Sequence, residues 1–109
     1  TPGSPMYFDH YQGDPKNEPI AFGGYNPLQK GYEFNPIPKK LKPEEQPFIL
    51  GTKANLWTEY ITDFSHVEYM LFPRLMALSE VSWGTSNPKN YAEFQQRVFE
   101  NLKFWTKKA

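Results

Sequence analysis

The sequence predicts an α/β protein in which two parallel strands are followed by two helices. Three features carry that expectation. Two short extended segments are separated by a long crossover, the second segment opens on a continuous apolar run, and helical periodicity is confined to the last part of the chain. Strands joined by long crossovers pair in parallel, and parallel pairing is the mark of the α/β class.

The first strand is expected within TPGSPMYFDHYQ, ending near Asp9. Beyond the Pro and Gly punctuation, Met6, Phe8 and His10 alternate with Tyr7, Asp9 and Tyr11, so the two sets point to opposite faces. Residues 13–47 hold most of the 11 prolines and read as irregular loop. Within them Gly23-Gly24 signals a turn, Asn35-Pro36-Ile37-Pro38 favours extended backbone, and Pro27–Tyr32 suits a short helical turn opened by Pro27. So long a loop inside a compact domain is expected to be functional or to cover another element.

The second strand is expected within FILGTKANLWTEYI, residues 48–61, where Phe48-Ile49-Leu50 suits a strand buried on both faces. A helix follows. Ser65 and Glu68 form a capping box, with Phe64 and Tyr69 as its hydrophobic staple. Val67, Met70, Leu71, Leu75 and Leu78 recur at helical spacing, and Gly84 is a natural stop. Pro73 inside the pattern predicts a kink at which the Tyr69 carbonyl loses its partner. The last helix is capped by Asn87 before Pro88, or by Asn90 with Glu93 three residues on, and buries Phe94, Val98, Leu102 and Trp105. Two parallel strands cannot bury both faces or close a barrel, which takes about eight strands and ~250 residues. The chain therefore reads as part of something longer.

Composition narrows the function. Twelve basic residues balance 12 acidic ones, so there is no net charge to draw nucleic acid or an anionic membrane surface. No apolar run reaches the ~18–20 residues of a membrane span, and Thr1 is not followed by a charged-then-apolar leader. Cysteine is absent, which excludes disulfides and Cys-ligated metal. Aromatic residues make up 17% of the chain; rings supply buried area, and their faces also stack on the C–H faces of sugars.

The ends of the two strands suggest chemistry. Tyr7-Phe8-Asp9 and Trp57-Thr58-Glu59 each place a ring and a carboxylate two residues apart, on one face of a strand. Neighbouring parallel strands would bring all four side chains to the carboxyl edge, where α/β sheets and barrels bind ligands. Carboxylates accept charge-assisted hydrogen bonds from hydroxyl pairs, so the set suits a sugar or polyol pocket. The plainer reading makes Asp9 and Glu59 surface groups and Tyr7 and Trp57 core. A direct acid and nucleophile pair is also conceivable, but neither carboxylate has an apolar surround to raise its pKa.

Other candidates carry less. His10 and His66 lack metal-ligand spacing. Ser4, Ser65 and Ser79 have no nucleophile-elbow context, and no Gly-rich phosphate loop occurs. Lys39, Lys40 and Lys42 precede Glu44 and Glu45 and suit a solvated loop. Arg74, beside Pro73 on an apolar face, is expected to pair with Glu80 or Glu68.

Several of these segments resemble family 20 glycoside hydrolases, the β-N-acetylhexosaminidases. Tyr7-Phe8-Asp9-His10-Tyr11-Gln12 resembles the family's Y-x-D-x-Y-Q segment near the seventh barrel strand. Ala54-Asn55-Leu56-Trp57-Thr58-Glu59 resembles its A-N-L-W-T-E segment on the eighth. Residues from Val67 through Phe72-Pro73-Arg74-Leu75 to Glu80 resemble the closing helix, and Tyr91 to Arg97 the terminal one. The resemblance implies the C-terminal part of a TIM (β/α)8 barrel, about its last two β/α units, spanning residues 1–109 as an incomplete domain.

It also implies a hydrolase of terminal N-acetylglucosamine or N-acetylgalactosamine that needs no cofactor or metal. The substrate's own acetamido oxygen is the nucleophile, an exception to the two-carboxylate scheme. On the matching positions Tyr7 donates to that oxygen, Trp57 walls the acetamido methyl, and Asp9 and Glu59 bind the C4 and C6 hydroxyls. The family's catalytic Asp-Glu pair has no counterpart, because no Asp-Glu dipeptide occurs in these 109 residues. The implied partners are an N-acetylhexosamine-terminated glycan and the N-terminal barrel portion, with self-association of the isolated fragment; export of the parent protein is a further expectation. Lys53 replaces a usual Gln, and Gly31 a β-branched residue. Phe22, Tyr25 and Tyr32 are the loop aromatics that could line the leaving-group side. A stand-alone carbohydrate-binding module or an inactive barrel remnant are the competing readings.

Overall fold

The computed structural model describes residues 3–84 and 89–108. Five helices run in order: α1 (Gly3–Met6), α2 (Leu28–Tyr32), α3 (Phe64–Leu71), α4 (Arg74–Trp83) and α5 (Tyr91–Lys108), with 3-10 turns at Pro15–Asn17 and Pro43–Phe48.

The predicted strands contract to single bridges. Tyr7 pairs in parallel with Asn55, through Phe8 N–H to the Asn55 carbonyl and Asn55 N–H to the Met6 carbonyl, both 2.8 Å. Tyr11 pairs in parallel with Tyr25. The parallel sense is as expected, but the lengths are not. Met6 closes a helical turn, Phe8 and Asp9 form a turn, and Phe48 ends a 3-10 helix. Leu50 is 97% exposed rather than buried on both faces. A two-stranded pair without neighbours on its outer sides gains little from lengthening, which accounts for the contraction.

Helix signals fare better, because they depend on near neighbours. Pro27 opens α2, as N-cap rather than first helical residue. In α5 the Asn90 side chain accepts from Glu93 N–H at 3.2 Å, the expected cap; the alternative at Asn87 and Pro88 lies outside the described residues. Phe94 and Val98 are buried and Leu102 partly so; the Trp105 side chain is outside the described set. The cap of α3 differs from expectation. Asp63, not Ser65, caps it, its carboxylate accepting from His66 N–H at 2.8 Å. Aspartate caps as well as serine and adds a charge that suits the helix N-terminus, so the earlier position prevails.

The core lies where α2, α4 and α5 meet: Tyr32, Ala77, Phe94 and Val98, flanked by Leu28, Met76, Tyr91 and Leu102. Tyr32 and Phe94 stack with centroids 4.4 Å apart. Gly31 lies over Ala77, where a Cβ would stand 3.5 Å from that of Ala77, in ordinary contact, so glycine is not required there by close packing. The Lys89 ammonium caps the end of α2 through the Tyr32 and Phe34 carbonyls, at 2.9 and 2.7 Å.

Candidate functional site

Pro73 does more than kink the closing helix. It divides the run into α3 and α4, and three carbonyls at the break accept from side chains, two from distant Gln12 and one from Arg74. Gln12 Nε2 donates to the Tyr69 carbonyl at 2.7 Å and to that of Phe72 at 3.3 Å. The Met70 carbonyl accepts from Arg74 itself, from Nε at 3.1 Å and Nη2 at 2.6 Å.

Arg74 is 1% exposed, and its guanidinium joins this break to the predicted site. Nη2 also donates to the Phe8 carbonyl, while Nη1 donates to those of His10 at 2.9 Å and Asn26 at 3.2 Å. The guanidinium carbon lies 5.1 Å from the centre of the Phe8 ring. The expected pairing with Glu80 or Glu68 is thus corrected. Glu80 pairs with Arg97 instead, and Arg74 directs its donors to backbone carbonyls. Burial pushes its pKa down to about 10, and Glu18, Asp9 and Tyr69 oppose the shift.

Two further groups fix the same segment. Asn26, also buried, donates its side-chain amide to the Pro5 and Tyr7 carbonyls at 2.7 and 2.9 Å. Gly24 has φ +67, and a Cβ there would come within 2.0 Å of His10 Nδ1. The His10 ring meets Tyr7 and Phe22 edge-on, at 6.4 and 5.8 Å. Sequence reasoning missed Asn26, which has no periodicity or motif to announce it. It noticed Arg74 from its polar character on an apolar face, but not its partners.

Beyond the break, Tyr69 OH donates to Glu18 Oε1 at 2.8 Å, and Glu18 Oε2 accepts from Gly13 N–H at 2.9 Å. That bond to Glu18, aided by burial and by the carboxylate's charge, raises the Tyr69 pKa above its ordinary value.

The predicted residues fall into two unequal pairs. Tyr7 is half-buried and Asp9 is 5% exposed. Asp9 Oδ1 is buried and has no hydrogen-bond donor among the described residues. Trp57 is 57% exposed, and Glu59 is exposed. The Tyr7–Asn55 bridge puts Trp57 two residues past the pairing point, in register with Asp9. The backbone turns at Phe8 and Asp9, however, so the register extends no further as a ladder. Among the loop aromatics Tyr32 is buried in the core, while Phe22 and Tyr25 are exposed. Phe22 is also joined to the site backbone, its N–H donating to the Asp9 carbonyl at 3.3 Å. Among the described residues no group of three His, Asp or Glu could hold a metal ion, and no helix is long and apolar enough to cross a membrane.

The family model "Glycosyl hydrolase family 20, catalytic domain" matches residues 1–86. A beta-hexosaminidase of Porphyromonas gingivalis is 46% identical over 99 residues, which are 90% of this chain and 13% of that protein. An exo beta-N-acetylglucosaminidase of Vibrio harveyi, solved with N-acetylglucosamine, superposes with TM-score 0.79 at 25% identity, over 96% of this chain and 17% of its own. A mutant Streptomyces plicatus beta-hexosaminidase solved with its product GlcNAc gives 0.78 at 24% identity, over 97% and 21%. The chain thus spans about a fifth or less of these relatives, and its fold is that of a fragment of their (β/α)8 barrel.

Proposed function

Because the chain belongs to glycosyl hydrolase family 20, we propose that it forms the seventh and eighth strands and closing helices of a β-N-acetylhexosaminidase barrel. In this reading it contributes one wall of the pocket for a terminal N-acetylhexosamine. The 2-acetamido oxygen of the substrate attacks the anomeric carbon and displaces the leaving group. Water then opens the resulting oxazolinium-type intermediate, with net retention. The general acid and the group that orients the acetamido nitrogen come from an Asp-Glu pair supplied by the rest of the barrel, since no such dipeptide lies in these 109 residues.

Within the pocket the Tyr7 hydroxyl donates to the acetamido oxygen and aligns the internal nucleophile. Trp57 stands against the acetamido methyl, and Asp9 and Glu59 accept from the C4 and C6 hydroxyls. The observation that carries this reading is Asp9, a buried carboxylate with an oxygen that lacks a donor. Such a group is costly to bury unless something donates to it, and a sugar hydroxyl is a suitable donor. Phe22 is the loop aromatic best placed for the leaving-group side, being exposed and packed edge-on against His10.

The remaining barrel is the natural cover for the exposed apolar side chains Phe48, Leu50, Trp57, Phe64 and Trp83. A carbohydrate-binding module that stood alone would not expose so much apolar area, and in isolation the chain is expected to self-associate. Kinetics of the full-length protein on a chromogenic N-acetylglucosaminide test the reading. Asp9→Ala should lower kcat/KM by roughly 10- to 100-fold, the loss of a hydrogen bond to a charged group. Unchanged kinetics in both Asp9→Ala and Glu59→Ala would point to a barrel remnant. The isolated chain should show no turnover, for want of the general acid; tight binding of N-acetylglucosamine by it would favour the module.

A further inference from the structure

We propose that Arg74 is a positioning residue for the Asp9 carboxylate, holding the site segment in register against the break between α3 and α4. The inference rests on the reading of Asp9 as a hydroxyl acceptor. One guanidinium takes the carbonyls on both sides of Asp9, those of Phe8 and His10, together with those of Asn26 and Met70. The chain turns at Phe8 and Asp9, directly after the bridge at Tyr7, so no ladder fixes the aspartate. Its direction is set by the backbone around it: Arg74 holds the peptide before it through the Phe8 carbonyl and the next residue through the His10 carbonyl, while the Asp9 carbonyl itself accepts from Phe22 N–H at 3.3 Å. The planar fork matters here, because a lysine ammonium is a single point and cannot span carbonyls arranged around it.

The same cation bonds the carbonyls of the residues flanking Asp9 and, among the described residues, forms no ion pair with its carboxylate. A direct ion pair would occupy the carboxylate. Bonding the neighbouring carbonyls instead supplies a counter-charge and leaves Asp9 Oδ1 free of any donor among the described residues. Gln12, one turn of chain further on, anchors the same segment to the Tyr69 and Phe72 carbonyls. The interruption at Pro73 thus presents Tyr69 and Met70 carbonyls to side chains from or around the site, which an unbroken helix would have used internally.

A double-mutant cycle in the full-length protein tests this, with kcat/KM on an N-acetylglucosaminide as readout and thermal melting measured beside it. Arg74→Lys should lower kcat/KM about tenfold or more, within the range a misplacement of about 1 Å costs. In an Asp9→Ala background the same substitution should change it less than twofold, because the group being positioned is gone. Phe8→Leu, which removes the ring beside the guanidinium but leaves the carbonyl bonds, should lower the melting temperature and spare kcat/KM. Equal losses from Arg74→Lys in both backgrounds would overturn the proposal while leaving Asp9 a binding residue. No loss from Asp9→Ala alone would overturn the reading beneath it, and the proposal with it. Should Arg74→Lys fail to fold, Arg74→Gln, whose amide can still donate to a carbonyl beside Asp9, takes its place in the cycle: a loss confined to the background that retains Asp9 supports the proposal, and additivity sinks it.

Discussion

Two segments of this molecule look alike in sequence and are built differently. Tyr7-Phe8-Asp9 and Trp57-Thr58-Glu59 share a ring-x-carboxylate pattern, and the bridge from Tyr7 reaches Asn55, two residues before Trp57. The first is clamped from inside the chain, its carbonyls taken by Arg74 and Asn26 and its far end by Gln12. The second follows an exposed stretch with Phe48 and Leu50 in solvent, and its own Trp57 and Glu59 are exposed. Similar patterns therefore differ in what holds them. One half of the proposed pocket is set by these 109 residues, and the other half depends on what packs against it.

The strongest way to break that contrast is to remove the clamp. Arg74→Met leaves several buried carbonyls without donors, at roughly 1–3 kcal/mol each. It should destabilise the full-length protein by more than about 3 kcal/mol, read by denaturant melts; a change under ~1 kcal/mol would mean that the segment is held elsewhere. Gly24→Ala comes next. Its positive φ and the encroachment on His10 Nδ1 should together cost about 1–3 kcal/mol, with His10 displaced from the Tyr7 ring.

A smaller effect is expected at Tyr69. Its phenol holds its proton more tightly in the folded than in the unfolded protein, through its bond to Glu18. That contribution is fully present below the ordinary tyrosine value of 10.0 and is lost as pH rises through the higher folded value. Tyr69→Phe should therefore flatten the fall in stability in the alkaline range, as seen in melts taken at a series of pH values. Trp57→Ala sharpens the comparison from the other side. At an exposed position it should alter the stability of the isolated chain by no more than about 0.5 kcal/mol, while lowering kcat/KM in the full-length protein. A large loss of stability in the isolated chain would show the second segment to be anchored after all.

Much of the helical architecture was legible in the sequence, and the particular residues show why. Asn90 caps α5, and Phe94 and Val98 lie on its buried stripe. Pro73 breaks the closing helix and frees the Tyr69 carbonyl, and Gly23-Gly24 turns with both φ values positive. The ring-x-carboxylate spacing was equally visible. What could not be read was strand length, the partner that answers the freed carbonyl, and the role of Asn26.

These two kinds of information have different physical origins. Caps, turns, helix breaks and periodic stripes arise between residues a few positions apart, so the order of amino acids alone determines them. The partners of a buried guanidinium are another matter: Arg74 meets the Phe8 carbonyl across 66 positions and that of His10 across 64. Only the packing of α4 against the start of the chain chooses among the carbonyls within reach. That choice, made by tertiary structure, leaves Asp9 buried beside a cation it does not bond.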